Sequence, residues 1–395
     1  MGTRGEDDMR VFARRPLSRR GTKAYNSGMT ATLTSRERVQ LALRHETSDR
    51  APFALGFGPT PEMIAVLTTE LAARGLDWPT LRDAADDVLR IGLPPLRTGP
   101  APENPDIWGI RRATKSYGGG SYDEFAHFPL AGVETLAALR AHPWPVAADF
   151  DATYPAAYAA RYNPDHAKAF RIPAGNVFET YCWMTGLEEA IINLLERPEL
   201  VVAALTHITD FFEALLVDML RAGADAIDLL LFADDLGSQS GLLISRALYR
   251  EIIQPFHARL TARAAELAPH AARMIHSDGA VFDILPDLID AGFTLFEAVQ
   301  TDAAGMDPAR LKAAYGDALT FQGGISVQAL LPYADAATVE AETVQLVAIF
   351  NAGGGYIAAP THSVQLGTPV DNVLAMLRGV FGEAGYAALL QASRR

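Results

Sequence analysis

The residues best suited to chemistry stand in the run Arg273-Met274-Ile275-His276-Ser277-Asp278-Gly279. It starts as a short apolar strand and ends in polar residues and a glycine. Side chains on a strand alternate faces with period two, so His276 and Asp278 project to the same side at the strand's C-terminal end. Gly279 lets the chain turn and lets another group approach the backbone. A neutral imidazole and a carboxylate two residues apart make a half-site for a divalent metal. They equally make a hydrogen-bonded acid/base pair. The bland alternative is a histidine capping a helix and an aspartate closing a turn.

Other strand ends carry residues of the same kind. Asn176, Phe178, Glu179 and Trp183 follow one strand, and Asp234, Asp235 and Gln239 another. Gln300 follows a strand that contains Glu297. Gln322 precedes Gly323-Gly324, and His362 closes the last strand. These ends offer acids, amides and histidines with almost no Arg or Lys, whereas a site for a polyanion should offer cations. Each residue also has a structural reading. Asp234-Asp235 reads as a helix cap, Glu179 with Trp183 as a solvated acid beside an aromatic wall, and Glu297 as a buried acid paired with Lys312. His362 reads as a core histidine and His257 as helix packing. Cys182 has no neighbour in sequence that would lower its pKa.

Elements must bring these ends together. Thr34-Ser35-Arg36-Glu37 reads as a capping box opening a helix to about Arg44. Helical patterns cover 61–73, 187–195, 198–221, 246–268, 281–291, 308–315, 336–350 and 369–381. Strand-like runs start near 53, 88, 171, 226, 273, 294, 319 and 355, the third reading as Phe170–Val177. Strands alternating with helices predict a parallel sheet. Eight such units close a (β/α)8 barrel, whose functional residues gather at the C-terminal ends of its strands. An open doubly wound sheet is the alternative, but no G-x-G-x-x-G follows a strand. Residues 94–165, rich in Pro, Gly, Tyr and Trp, read as an insertion with a hairpin near 106–120.

The chain has 395 residues, 49% of them hydrophobic, and a net charge of -13. That balance argues against nucleic-acid binding. One cysteine excludes an intramolecular disulfide and a Cys-rich zinc site, which fits a cytoplasmic protein. No apolar run approaches the ~20 residues that a membrane helix needs. Residues 1–28 hold seven Arg/Lys and three acidic residues without periodicity, and are expected to be a disordered extension ahead of a domain over 29–395.

The order of His276-Ser277-Asp278-Gly279, Gly323-Gly324-Ile325, Gly354-Gly355-Tyr356-Ile357-Ala358-Ala359-Pro360-Thr361-His362, Thr368-Pro369 and Asn372 resembles the uroporphyrinogen decarboxylase superfamily. Ser35-Arg36-Glu37-Arg38 and Asp49-Arg50-Ala51-Pro52 resemble its opening segment. The resemblance spans about residues 34–388 and implies a single (β/α)8 barrel. One branch decarboxylates uroporphyrinogen without a cofactor, using an acid and arginines that hold acetate groups. The other comprises corrinoid-linked methyltransferases that bind zinc through His-x-Cys and a distant Cys. No arginine stands at Phe57-Gly58-Pro59-Thr60, where the decarboxylase motif falls, while Asp86 or Asp87 lies near the position of its acid and His362 resembles its C-terminal histidine. Against the methyltransferase pattern, Asp278 replaces the first Cys and His362 falls near the second.

The resemblance therefore implies a zinc or other divalent metal on His276, Asp278 and His362, and methyl transfer between a small substrate and a corrinoid carried by a partner protein. Glu179 and Asp234 join the catalytic set. Phe57, Phe178, Trp183, Asp235, Gln239, Gln300 and Gln322 are expected to bind substrate. A homodimer is compatible. The alternatives are a cofactor-free decarboxylase and a non-catalytic barrel that binds a small molecule or corrinoid.

Overall fold

The computed structural model describes residues 33–394 except 93, 99–102, 118, 119, 163 and 172–176. The expected N-terminal extension and Asn176 lie outside the described residues. Among those described, nine strands form: β1 Val88–Ile91, β2 Arg111–Tyr117, β3 Gly120–His127, β4 Ala167–Arg171, β5 Leu229–Ala233, β6 Ala272–His276, β7 Leu295–Ala298, β8 Thr320–Ile325 and β9 Tyr356–Pro360.

Seven of them pair in the order β1-β4-β5-β6-β7-β8-β9, every neighbour parallel. The segment around Phe53 joins the two edges. Ala54 N donates to Ala358 O and Ala358 N to Pro52 O, both at 2.8 Å, while Asp87 N donates to Phe53 O at 2.8 Å. Phe53 is thus the eighth staff of a TIM-type (β/α)8 barrel, reduced to a single bridge. Two aspartates extend its pairing: Asp87 Oδ2 accepts from Phe53 N at 2.8 Å and Asp86 Oδ1 from Leu55 N at 3.2 Å. Closure on both edges rules out the open sheet.

Inward side chains follow the period-two rule. Val88, Ala167, Ala169, Leu229, Leu231, Ala272, Met274, Leu295, Ile357 and Ala359 fill the barrel, with Val39 and Ala42 from the Ser35–Leu43 helix closing its lower end. Thr34 and Glu37 form the predicted capping box. A larger apolar layer lies between the strands and the outer helices. One further step along the inward register of β1, β4, β6, β7 and β8 gives Arg90, Arg171, His276, Glu297 and Gln322 at the upper end.

Several expectations shift. The third strand starts at Ala167, and the chain is helical from Val177, so Val177–Thr185 is a helix that strand-like residues concealed. The 246–268 helix contains a π turn at Tyr249–Ile253, because Pro255 lacks the N–H that would bond Glu251 O. The Val370–Ala392 helix runs past 381, with a break at Gly382. β2 and β3 form the predicted hairpin. Two helices, within Pro198–Ala226 and Val370–Ala392, are long and apolar enough to cross a membrane, so the reading that no run approaches that length is corrected. About half of each apolar stretch, 56% and 44%, is buried within the protein.

Candidate active site

His276 ends β6 and Asp278 follows it, as the alternation requires. His276 Nε2 lies 3.6 Å from Asp278 Oδ1. His362, after β9, completes a cluster in which one donor atom from each residue lies within 4.8 Å of the others. Donors about 2 Å from one ion stand roughly 3–4 Å apart, so a shift on the order of 1 Å closes the set. Asp278 Oδ1 is buried without a hydrogen-bond donor, an arrangement that suits a cation.

The electrostatics favour neutral imidazoles here. Burial pulls His276 well below its ordinary pKa, helped by His362, Arg90 and Arg171, and burial with Arg90 lowers His362. Neutral imidazole is the metal-binding form. Burial, then Asp235, pushes the Asp278 carboxyl up to about 7. A positive ion would offset that penalty.

Phe57 wedges between the two histidines, its centroid 4.8 Å from each ring, stacked on His362 and edge-on to His276. The Arg90 guanidinium lies over the Phe57 ring, 5.0 Å from its centroid. Arg90 also pairs with Glu297. Glu297 Oε2 lies 3.4 Å from His276 Nδ1, and Glu297 Oε1 accepts from Gln322 Nε2 at 2.8 Å. Glu297 therefore joins the histidine cluster instead of Lys312, whose Nζ donates to Gly354 O at 2.6 Å.

Arg90 and Arg171 correct the reading that strand ends lack cations. Both sit within strands, where Val88-x-Arg90 and Ala169-x-Arg171 carry them onto the inward face. The period-two pattern was the signal that would have found them. Burial lowers Arg90 to about 10 and also lowers Arg171. Arg171 offsets part of the burial that raises Glu179, which sits in the first helical turn with Asp235 and Asp234 nearby.

Other expected site residues have different work. Asp234 is fully buried. Its Oδ1 accepts from Glu179 N at 2.6 Å, while its Oδ2 accepts from Phe178 N at 3.1 Å and lies 2.6 Å from His257 Nε2. Asp234 is thus a cap for the Val177–Thr185 helix. Phe178 is fully buried in the outer apolar layer, not on the substrate face. Trp183 packs on Phe125 of the hairpin, with centroids 6.0 Å apart. Asp235 Oδ1 accepts from Asp278 N at 2.9 Å. Gln300 Oε1 accepts from Gly279 N at 3.0 Å and Gln239 Nε2 at 3.1 Å. Gln322 is held by Glu297 inside the barrel. The buried Cys182 thiol is pushed well up by burial, which removes it as a nucleophile.

A cleft of about 470 Å³ opens over the cluster, lined by Asp278, His362, Gln300, Val327, Tyr333 and Thr368 among others. Its size suits a small molecule.

The family model described as Uroporphyrinogen decarboxylase (URO-D) matches residues 174–380. A methyltransferase from Methanosarcina mazei shares the fold with a TM-score of 0.60 and 18% identity, covering 88% of this chain and 98% of that one. The 7,8-dihydropteroate synthase from Vibrio fischeri ES114 is more distant, at a TM-score of 0.33 and 11% identity over 87% and 94% of the two chains. No curated protein matches the sequence. The matched segment, residues 174–380, spans more than half of the chain and contains His276, Asp278 and His362: the chain belongs to the uroporphyrinogen decarboxylase family.

Proposed function

We propose that this protein is a metal-dependent enzyme that holds a divalent ion, zinc, on His276, Asp278 and His362. It moves a methyl group between a small methylated substrate and a corrinoid, or a similar carrier, on a partner protein. The observation that carries this reading is the convergence of three donors within 4.8 Å, one of them a buried carboxylate oxygen with no donor. A methyltransferase of similar fold is compatible with it. When bound, the ion supplies Lewis-acid polarisation of the substrate heteroatom that carries the methyl group. The chain's own residues orient and enclose. Phe57 fixes the planes of both imidazoles. Glu297 Oε2, 3.4 Å from His276 Nδ1, favours the ring orientation that turns Nε2 toward Asp278. Gln300 and Tyr333 border the space a small substrate would fill, and Glu179 offers a carboxyl at the same mouth.

Metal content tests the proposal. Purified protein should carry about one equivalent of zinc per chain, on the tetrahedral open-site pattern. His276→Ala should lose most of it, and full occupancy in that variant would remove the ligand assignment.

A second reading, cofactor-free decarboxylation, is favoured by Arg90 and Arg171, two inward guanidiniums able to hold carboxylates. Arg90 is already paired with Glu297, which leaves few cations for a polycarboxylate. Uroporphyrinogen III should therefore show no turnover. Stoichiometric conversion to coproporphyrinogen by metal-free protein would reverse the ranking.

A further inference from the structure

The loop that carries Asp278 is held far more tightly than a surface loop needs to be. Four consecutive backbone N–H groups find acceptors. Ser277 N donates to Glu297 O at 3.4 Å, and Asp278 N to Asp235 Oδ1 at 2.9 Å. Gly279 N donates to Gln300 Oε1 at 3.0 Å, and Ala280 N to Ser238 O at 2.7 Å. Ser277 Oγ accepts from Leu236 N at 2.9 Å in return. Gly279 has φ +87°, and a Cβ there would meet Ser238 O at 2.5 Å, so the two loops pack backbone to backbone. Gln239 Nε2 steadies Gln300 at 3.1 Å. Around Asp278 every backbone donor is satisfied, yet its own buried Oδ1 has none.

That contrast has a physical meaning. Two side chains from other strands are committed to fixing a backbone whose one exposed demand is an unsatisfied carboxylate oxygen. Preorganisation of this kind pays off where the carboxylate must meet a ligand at a fixed place. We propose that Asp235 and Gln300 are positioning residues that hold the Asp278 carboxylate ready for the divalent ion. Each acts through a backbone N–H of the Asp278 loop and not on the ion itself. The proposal rests on the metal reading given above, and its test separates the two.

The measurement is zinc affinity by titration against a chromogenic chelator, with melting temperature followed in parallel. Asp235→Leu and Gln300→Leu remove the acceptors, and each should weaken zinc binding by about 10–100-fold, the usual effect of losing an outer partner of a ligand. Asp235→Asn and Gln300→Glu keep an acceptor oxygen while changing charge in opposite directions. Both should stay within about threefold of wild type if geometry is what matters. If the two conservative variants instead shift affinity in opposite directions by as much as the leucine variants do, simple electrostatics replaces the proposal. If either leucine variant fails to fold, the other one decides. Unchanged affinity in folded leucine variants, while His276→Ala loses zinc, overturns the positioning role and leaves the metal reading intact. Zinc retained in His276→Ala overturns both.

Discussion

Asp86 shows how a single carboxyl can set a pH dependence. It lies in the seam between the Phe53 segment and β1, accepting from Leu55 N and Val88 N, each at 3.2 Å. Burial outweighs those bonds and the nearby Arg90 and pushes it up to about 7. In the unfolded chain an aspartate titrates near about 3.9. Between these values the folded protein holds a proton that the unfolded chain has lost, so this group's contribution to stability falls as pH rises from about 4 to about 7. Asp86→Asn keeps an acceptor oxygen and removes the titration. Its melting temperature should exceed that of wild type at pH 8, and the gain should vanish toward pH 4. A gain independent of pH would place Asp86's proton elsewhere. Glu179, Asp235 and Asp278 are raised by burial in the same sense, so the wild-type slope should outlast the Asp86 change.

At the scale of elements, the Val177–Thr185 helix is anchored from outside itself. Two N–H groups of its first turn, at Phe178 and Glu179, bond to Asp234 just after β5. Asp234 is in turn held by His257, and His257 Nδ1 lies 2.9 Å from the Tyr249 hydroxyl. A neutral imidazole satisfies all of it, with Nε2–H donating to Asp234 and Nδ1 accepting from Tyr249. The π turn makes this alignment work. Eight residues of regular helix rotate Tyr249 and His257 about 80° apart, and one inserted residue brings them back to within about 20°. His257→Ala removes a buried donor and should cost about 1–3 kcal/mol. It should also raise amide exchange at Phe178 and Glu179 ahead of the rest of the chain. Uniform exchange across the barrel would show that the relay does not anchor this helix.

The whole molecule depends on closing a ring through its weakest staff. Phe53 contributes one bridge, and Asp87 holds it. Asp87 Oδ2 accepts from Phe53 N at 2.8 Å and Arg50 Nη1 at 2.6 Å, and Oδ1 faces Arg50 and Arg38. Replacing Asp87 by Ala leaves the half-buried Arg50 guanidinium without its anion, while Arg38 keeps Asp49, a change that costs about 3–5 kcal/mol. Asp371→Ala removes one of the two carboxylates paired with the exposed Arg74 and should cost no more than about 1 kcal/mol. Calorimetry on both variants tests whether closure is carried by this network. Equal losses would mean that the ring does not rely on Asp87.

The sequence by itself determined the barrel and one half of the candidate site. Local patterns decide those features. The capping box at Thr34–Glu37 and the 61–73, 308–315 and 336–350 helices are written in nearest-neighbour residues, and a strand's alternation ties Asp278 to His276 wherever the strand lies. The tertiary structure alone decided what each side chain meets across strands. Phe57 between two imidazoles, Arg90 against Glu297, and Asp235 and Gln300 on the loop of Asp278 join residues from different βα units. The contacts of Asp234 and Phe178 were hidden for the same reason. A buried acid that caps a helix more than 40 residues earlier has no local signature, and an aromatic side chain reads the same in sequence whether it faces the cleft or the outer core. Charged residues within strands, such as Arg90 and Arg171, look like breaks in an apolar run until the sheet closes and the alternation carries them to its centre.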